Sequence, residues 1–582
     1  MKLITGIFIL LLFIQINKSE AQTPPRVVYF TPQRQVINAP RNTQVIVSFN
    51  EPINPSSVNN FTFQVFGKLS GPVNGTLEVI NGNKQVKFTP LIDFLAGEWI
   101  TVTLTKGIQS MANVHMEKGF VWNFWTKAEA GTLQQSRIAT IPVRRSGEGL
   151  IQCYGALGMD FNDDRKTDLA VVNEVSRDFR IFLNNGTGFD TMYSVYPLPA
   201  GNYPSPSEAA DFNRDGKIDI LIGNAGNSIL SLFTGNGNAV FQPEVAYTAS
   251  NNVRGVAVCD LNGDGYFDAV TANRGGNNIS IFINNGNGTF ASAVNINTPG
   301  SQETAVMLTD ANNDGIPDAF IGCYNSKEIV LMLGDGEGNF TYSSRSDLVG
   351  SPWAIAVGDI NGDGNADVAA ALSSYNRMGV IFGNGAGGLG AVTTYVSGSF
   401  PLAQDIGDLD GDNDLDLITS NYIGANFYVF KNNGSGSFTG SPVILPASSS
   451  GSCITVHDRD NDGDLDMAGI DEVDDLLFIF NNGTTGVSTV SGEIPLSYSL
   501  KQNYPNPFNP VTRIDYDIAV PGETVLNVYD ILGNKVRTLV NEFQNAGKYS
   551  VEFSGETLSS GVYYINISSG EFSETKSMIL LK

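Results

Sequence analysis

Apolar and polar residues alternate with a period of two along most of this chain, in short runs parted by clusters of Asn, Gly, Asp and Pro. Gln44-Val45-Ile46-Val47-Ser48-Phe49 shows the pattern near the start and Ile279-Ser280-Ile281-Phe282-Ile283 in the middle. A strand turns successive side chains to opposite faces, so the pattern predicts half-buried strands. The 63 glycines and many asparagines fit turn-rich β structure rather than helices, and 582 residues are too many for one core.

Between about Gln134 and Gly492 one plan recurs. An apolar stretch such as Val256-Ala257-Val258 leads into an acidic loop, and a second stretch, such as DAVTA from Asp268 or DILIG from Asp219, follows it. An Asn/Gly-rich turn, a third stretch, a turn of the NNGNGTF kind and a weaker fourth stretch complete the unit. That order reads as four antiparallel strands. The acidic loops are DFNDDRKTD, DFNRDGKID, DLNGDGYFD, DANNDGIPD, DINGDGNAD, DLDGDNDLD and DRDNDGDLD. They start at residues 160, 211, 260, 310, 359, 408 and 458, a period of about fifty.

Seven such units close into a β-propeller more naturally than they stack, because closure hides the sheet edges. The last unit has strands at Ile454–Val456, Asp466–Ile470 and Leu476–Phe480 but only the thin GVSTVS afterwards. An orphan stretch, Arg137–Val143, precedes the first unit and is expected to complete the seventh blade. The expected fold is all-β: a seven-bladed β-propeller flanked by an N-terminal Ig-like β-sandwich and a C-terminal β-sandwich.

The loops carry the candidate chemistry. Positions 1, 5 and 9 are Asp in every copy, and position 3 is Asn in five and Asp in two. Alternate oxygen ligands on a flexible turn suit Ca²⁺, with a carbonyl at position 7 completing the set. The expected ligands are Asp211, Asn213, Asp215 and Asp219; Asp260, Asn262, Asp264 and Asp268; Asp310, Asn312, Asp314 and Asp318; Asp359, Asn361, Asp363 and Asp367; Asp408, Asp410, Asp412 and Asp416; and Asp458, Asp460, Asp462 and Asp466. Position 6 is Gly in five copies and Asn413 in another, residues that tolerate positive φ. The first loop, with Asp160, Asn162, Asp164 and Asp168, has Arg165 there, which strains the turn and brings a cation, so a weaker site is expected. The loops resemble the first half of EF-hand loops, closed by Asp at position 9 instead of Glu at position 12.

Charge fits this reading. The chain has net charge -25, and 23 of its 59 acidic residues are loop aspartates at these four positions. A polyanion such as nucleic acid would be repelled, whereas hard cations are suited. Metal would then be coupled to folding.

On these motifs the repeats resemble the FG-GAP/VCBS family, the seven-bladed calcium-binding propeller found also in integrin α-subunits and some lectins. The resemblance implies fold and metal; for function the family includes adhesins, glycan binders and passive modules of surface proteins. The stretches VVYFTPQ, VIVSFNEPIN, VKFTP and FVWNFWT resemble a bacterial Ig-like domain, in which Trp99, Trp122 and Trp125 are expected to pack in the core. The C-terminal LKQNYPNPFNPVTRIDYDI, LNVYDILGNKVRTLV and LSSGVYYINI resemble the type A sorting domain of the type IX secretion system. That resemblance implies the type IX machinery as a partner, passage across the outer membrane of a Gram-negative bacterium, and removal of the tail. The rest of the chain would be released or held at the surface.

The N-terminus carries Lys2, an apolar run from Ile7 to Ile14 and Ser19-Glu20-Ala21, the pattern of a removable signal peptide. No other segment is apolar for long enough to cross a membrane, so no span is expected in the mature form. The expected divisions are signal peptide 1–21, Ig-like domain 22–128, propeller 129–490, linker 491–498 and sorting domain 499–582. Cys153, Cys259, Cys323 and Cys453 are scattered singly and read as free thiols, with a Cys153–Cys453 pair left open.

Only His115 and His457 are available to a triad or zinc site, neither lies in a recognisable motif, and the obvious carboxylate pairs belong to the loops. The chain therefore reads as no enzyme. A binding surface is expected on the face opposite the acidic loops, where Tyr203, Arg254, Trp353 and Phe400 precede or open the first strands. Arg177, Arg274, Tyr324, Tyr375 and Tyr422 follow the second strands there. Aromatics with Arg and Asn suit stacking on sugars and bonding their hydroxyls. The expectation is an exported calcium-binding adhesion protein for a glycan or surface protein. A hydrolase of surface polymers, or a passive envelope module, is the alternative.

Overall fold

The computed structural model describes residues 23–582 apart from 187, 483–487, 492–494, 496, 521, 545, 556–557 and 571, so the expected signal peptide lies outside the described residues. Apart from a single 3-10 turn at Pro55–Ser57, the regular elements among these residues are all strands.

The repeats form seven four-stranded antiparallel sheets. In the third, the innermost strand Val253–Cys259 runs into the acidic loop, and the second strand, Asp268–Asn273, begins on the loop's last Asp. The innermost strands of the first and seventh sheets, Cys153–Met159 and Gly451–His457, lie side by side and close the ring. The expected closure is found: Ser136–Pro142 is the outer strand of the seventh sheet, antiparallel to Leu476–Asn481, with Ser136 facing Asn481 and Pro142 facing Leu476. Ile141 secures it, buried with Leu477 and Ile479. The thin stretch after the seventh blade has another use, since Ser488–Ser491 pairs with Gly547–Ser554. The C-terminal sandwich therefore begins ahead of 499, inside what reads in sequence as propeller and linker.

Each innermost strand carries a register shift near its start, between Cys153 and Gly155, Val253 and Gly255, Pro352 and Ile355, and their counterparts. A bulge leaves a residue out of the ladder and re-aims its side chain. Tyr154, Arg254 and Trp353 occupy these positions.

The N-terminal domain is two four-stranded sheets enclosing Val47, Phe63, Phe88, Val102, Trp122 and Phe124. Trp122 packs in the core as expected, its Nε1 donating to the Pro32 carbonyl at 3.1 Å. Trp99 and Trp125 differ, stacked edge to face on each other and packing with Ala356 and Ile406 of the propeller, because this domain sits on the acidic-loop face. The amides of Lys106, Val121 and Glu129 donate to the carbonyls of Gly263 (2.8 Å), Gly315 (2.7 Å) and Gly463 (2.8 Å), all in acidic loops. Between this domain and the innermost strands a cavity of about 290 Å³ remains on the propeller axis, lined among others by Lys68, Glu208 and Asp405. The four cysteines are free thiols; Cys153 Sγ contacts the Asp471 carbonyl at 3.2 Å and does not bond to Cys453.

Candidate functional site

Each acidic loop wraps its own backbone around its first carboxylate. Asp260 Oδ1 accepts from the amides of Gly263 (2.8 Å) and Asp264 (3.2 Å), and Oδ2 from that of Gly265 (2.8 Å). Such a tight wrap needs left-handed backbone twice. Position 6 takes it as expected, from Arg165 (φ 66°) to Gly463 (φ 100°), but so does position 4, where Asp163, Arg214, Asn313 and Asn461 share φ near 60°. The Asp at position 9 ties the loop to the end of the third strand: Asp268 Oδ2 accepts from Leu261 (2.9 Å) and Oδ1 from Asn284 (2.7 Å). Burial pushes these last carboxyls up, Asp168, Asp219 and Asp318 to about 7, Asp268 and Asp367 to about 8.

Among the described residues, three expected ligands converge in each of the last two loops. In the sixth loop oxygens of Asp408, Asp410 and Asp416 lie within 4.8 Å of one another, and in the seventh so do those of Asp458, Asp460 and Asp462. Asp408 Oδ1, Asp410 Oδ1, Asp458 Oδ1 and Asp460 Oδ1 are buried without a hydrogen-bond partner. Crowded, orphaned carboxylate oxygens are the donor set of a hard divalent cation. Position 7, read in sequence as supplying a carbonyl, adds side chains in these two loops, Asp414 and Asp464, and both oxygens of Asp464 are orphaned.

Protein cations also reach several loops. Arg34 of the N-terminal domain is 3.2 Å from Asp310, Lys431 Nζ is 3.0 Å from Asp412, and Arg459 is 2.5 Å from Asp460. The first loop differs from expectation. The Arg165 side chain donates to the Asp93 carbonyl of the N-terminal domain, and the cation beside the carboxylates is Lys166, 2.9 Å from Asp164.

The opposite face gathers a second constellation. Trp353 Nε1 donates to the Tyr154 hydroxyl at 2.8 Å. The Trp353 ring lies 5.5 Å from that of Tyr324 and 6.2 Å from that of Phe400, which in turn is 6.4 Å from Tyr422. Two guanidinium groups lie over the indole, Arg254 at 5.5 Å and Arg274 at 5.3 Å, and Arg254 is also 3.6 Å from Glu174. Gln152 Nε2 donates to Glu472 at 2.7 Å and to Glu174 at 3.3 Å. Burial raises the Glu174 carboxyl, and raises that of Glu472 to about 7 with the Glu174 charge adding to the effect.

Of the face residues read from sequence, Arg254, Arg274, Tyr324, Trp353, Phe400 and Tyr422 meet. Tyr203 and Tyr375 stand apart, each about half exposed, and Arg177 is exposed outside the cluster. Register explains the split: Glu174, Arg274, Tyr324, Tyr422 and Glu472 each directly follow a second strand, whereas Arg177 and Tyr375 lie further along the turn. Glu174 and Glu472 escape a search for aromatics and arginines alone, though the same alignment of repeats reaches them.

Among the described residues no helix is long and apolar enough to cross a membrane. No curated protein matches the chain. Solved structures similar to it include the periplasmic gluconolactonase PpgL of Pseudomonas aeruginosa, at 14% identity and TM-score 0.41, over 56% of this chain and 96% of that one. A Lactobacillus plantarum protein matches at 12% identity and TM-score 0.38, over 67% and 98%. A Bacteroides thetaiotaomicron protein of unknown function matches at 10% identity and TM-score 0.31, over 79% and 98%. Residues 21–126 match the bacterial Ig-like domain and 502–581 the secretion system C-terminal sorting domain, which marks the chain for type IX export to the cell surface or outside. Six overlapping matches to the FG-GAP-like repeat run from residue 160 to 469, more than half of the sequence, and the chain belongs to that repeat family.

Proposed function

We propose that this exported protein is a calcium-stabilised, non-enzymatic adhesion module that binds a glycan through the propeller face opposite its acidic loops. The observation that carries the reading is the contiguous Tyr324–Trp353–Phe400–Tyr422 wall with its arginines and carboxylates, on the face that the N-terminal domain leaves free. Aromatic faces stack on the apolar faces of sugar rings, while Gln152, Glu174 and Glu472 meet hydroxyls. Calcium in the acidic loops would offset the repulsion among their carboxylates and hold the first two strands of each blade together. A glycan array probed with the calcium-loaded protein tests this: selective binding that Trp353→Phe weakens supports it, and binding to no glycan refutes it.

The second reading, a hydrolase of surface polymers, is favoured by one feature. Glu174 and Glu472 share the Gln152 amide, and Glu472, pushed up to about 7, has the raised carboxyl that the general acid of a glycosidase pair needs. A glycosidase and esterase screen on the calcium form separates the two; turnover that Glu472→Gln abolishes would replace adhesion with catalysis.

A further inference from the structure

The glycan-binding face contains three kinds of unsatisfied group, and they ask for different things. Arg274 makes no side-chain hydrogen bond or ion pair among the described residues, in a chain with 59 acids and 34 bases. It is held instead by stacking, 4.7 Å from the Tyr324 ring and 5.3 Å from Trp353. Its neighbour over the same indole is another cation, Arg254, and burial together with that charge weakens the hold of Arg274 on its proton. Arg254 forms an ion pair with Glu174, feels the charge of Glu472, donates to Ser205 Oγ at 3.4 Å, and keeps its Nε buried without a partner. Two guanidinium groups beside one ring, of which only Arg254 has an ion pair, leave a place at Arg274 for a planar anion with two oxygens.

The second kind is the opposite. Glu174 and Glu472 are 7% and 4% exposed; Glu472 Oε2 has no hydrogen bond, and Glu174 Oε1 has none beyond its 3.6 Å ion pair with Arg254. Buried acceptors without donors are costly, and a ligand that brings hydroxyls relieves the cost. The third is the half-buried aromatic wall, which asks for an apolar ring face.

A neutral sugar would serve the carboxylates and the wall but leave Arg274 unpaired. An acidic side chain of a protein would serve the arginines but bring no hydroxyls for Glu174 and Glu472. We infer that the ligand is an acidic glycan, with a uronate carboxylate between Arg254 and Arg274 and the hydroxyls of the same chain on Glu174 and Glu472. This rests on the glycan-binding reading and narrows it to one chemical class.

The test uses the full calcium-loaded chain and a set of uronate oligosaccharides of several linkages, each beside its carboxyl-reduced counterpart, in which the carboxylate has become a hydroxymethyl group. Titration calorimetry should give the uronate forms an affinity at least about tenfold higher, the factor that one charge-assisted contact supplies. In Arg274→Gln that preference should disappear, and in Arg274→Lys it should survive in part; the melting temperature of each variant shows whether it has folded. Equal affinity for acid and reduced forms would overturn the uronate assignment while leaving glycan binding intact. Binding of neither form would overturn both readings. Tighter binding of a sulfated oligosaccharide, or of an acidic peptide with the same dependence on Arg274, would overturn the uronate in favour of that anion.

Discussion

Trp353 and Tyr154 join the fifth and first blades through a 2.8 Å hydrogen bond from indole Nε1 to the phenol oxygen. These blades are not neighbours in the ring, so the bond crosses its axis. Trp353→Phe keeps a ring against Tyr324 and Phe400 but removes the donor, which should cost about 1 kcal/mol in urea unfolding. Ligand affinity should fall by more than this stability loss explains; an unchanged affinity would take Trp353 out of the site. Trp353→Ala is a less clean probe, because the residue also packs against Arg254 and Arg274.

The loop carboxylates give the metal-free protein a defined pH dependence. Burial raises Asp219 and Asp318 to about 7, and Asp268 and Asp367 to about 8, from an ordinary 3.8. A carboxyl raised in the folded state favours folding only while protonated, so its contribution is complete below pH 4 and lost as pH rises towards 8. In EDTA the melting temperature should therefore fall between pH 5 and pH 8. With millimolar Ca²⁺, which needs the ionised form, it should hold or rise over the same window. Equal melts in EDTA and calcium at pH 8 would remove metal from the account of the loops.

Docking of the N-terminal domain depends on close approach at Gly119. A Cβ there would stand 2.7 Å from the Cα of Gly263, where both partners are backbone and neither can swing aside. Gly119→Ala should cost about 1–3 kcal/mol at this interface and release the domain. Small-angle scattering would then show a longer particle, while the propeller's own melting transition stays in place.

Closure of the ring can be tested on one strand with two substitutions. Ile141 is 6% exposed against Leu477 and Ile479, whereas Ile138 on the same strand is 50% exposed. Ile141→Ala should destabilise by about 2–5 kcal/mol and Ile138→Ala by no more than about 0.5 kcal/mol. Equal effects in urea unfolding would mean that the outer strand of the seventh blade is not holding the ring.

What was legible in the sequence was whatever repeats. A fifty-residue period, alternating strands and invariant Asp positions gave the seven sheets, the loop carboxylates and the orphan strand that closes the last blade. Contacts between distant, non-repeating segments left no such trace. Lys431 approaches Asp412 only because the third strand of its blade ends beside the loop, and Arg34 reaches Asp310 only because a separate domain covers that face. The left-handed conformation at position 4 was hidden because Asp163, Arg214, Asn313 and Asn461 adopt it beside glycines in the other loops. Tyr154 joined the face through a bulge, which no alternation of apolar and polar residues announces.

The pairing of Ser136 with Asn481 sets how this ring meets mechanical load. The chain enters the closing strand at Ser136 from the N-terminal domain and leaves the partner strand at Asn481 towards the C-terminal one, so tension between the two ends pulls on the same end of one antiparallel pair. That geometry peels hydrogen bonds one after another instead of shearing them together. While the N-terminal domain stays clasped to the loops at Gly263, Gly315 and Gly463, such tension is shared with the third and fourth blades and with the loop of the seam blade before it reaches the seam.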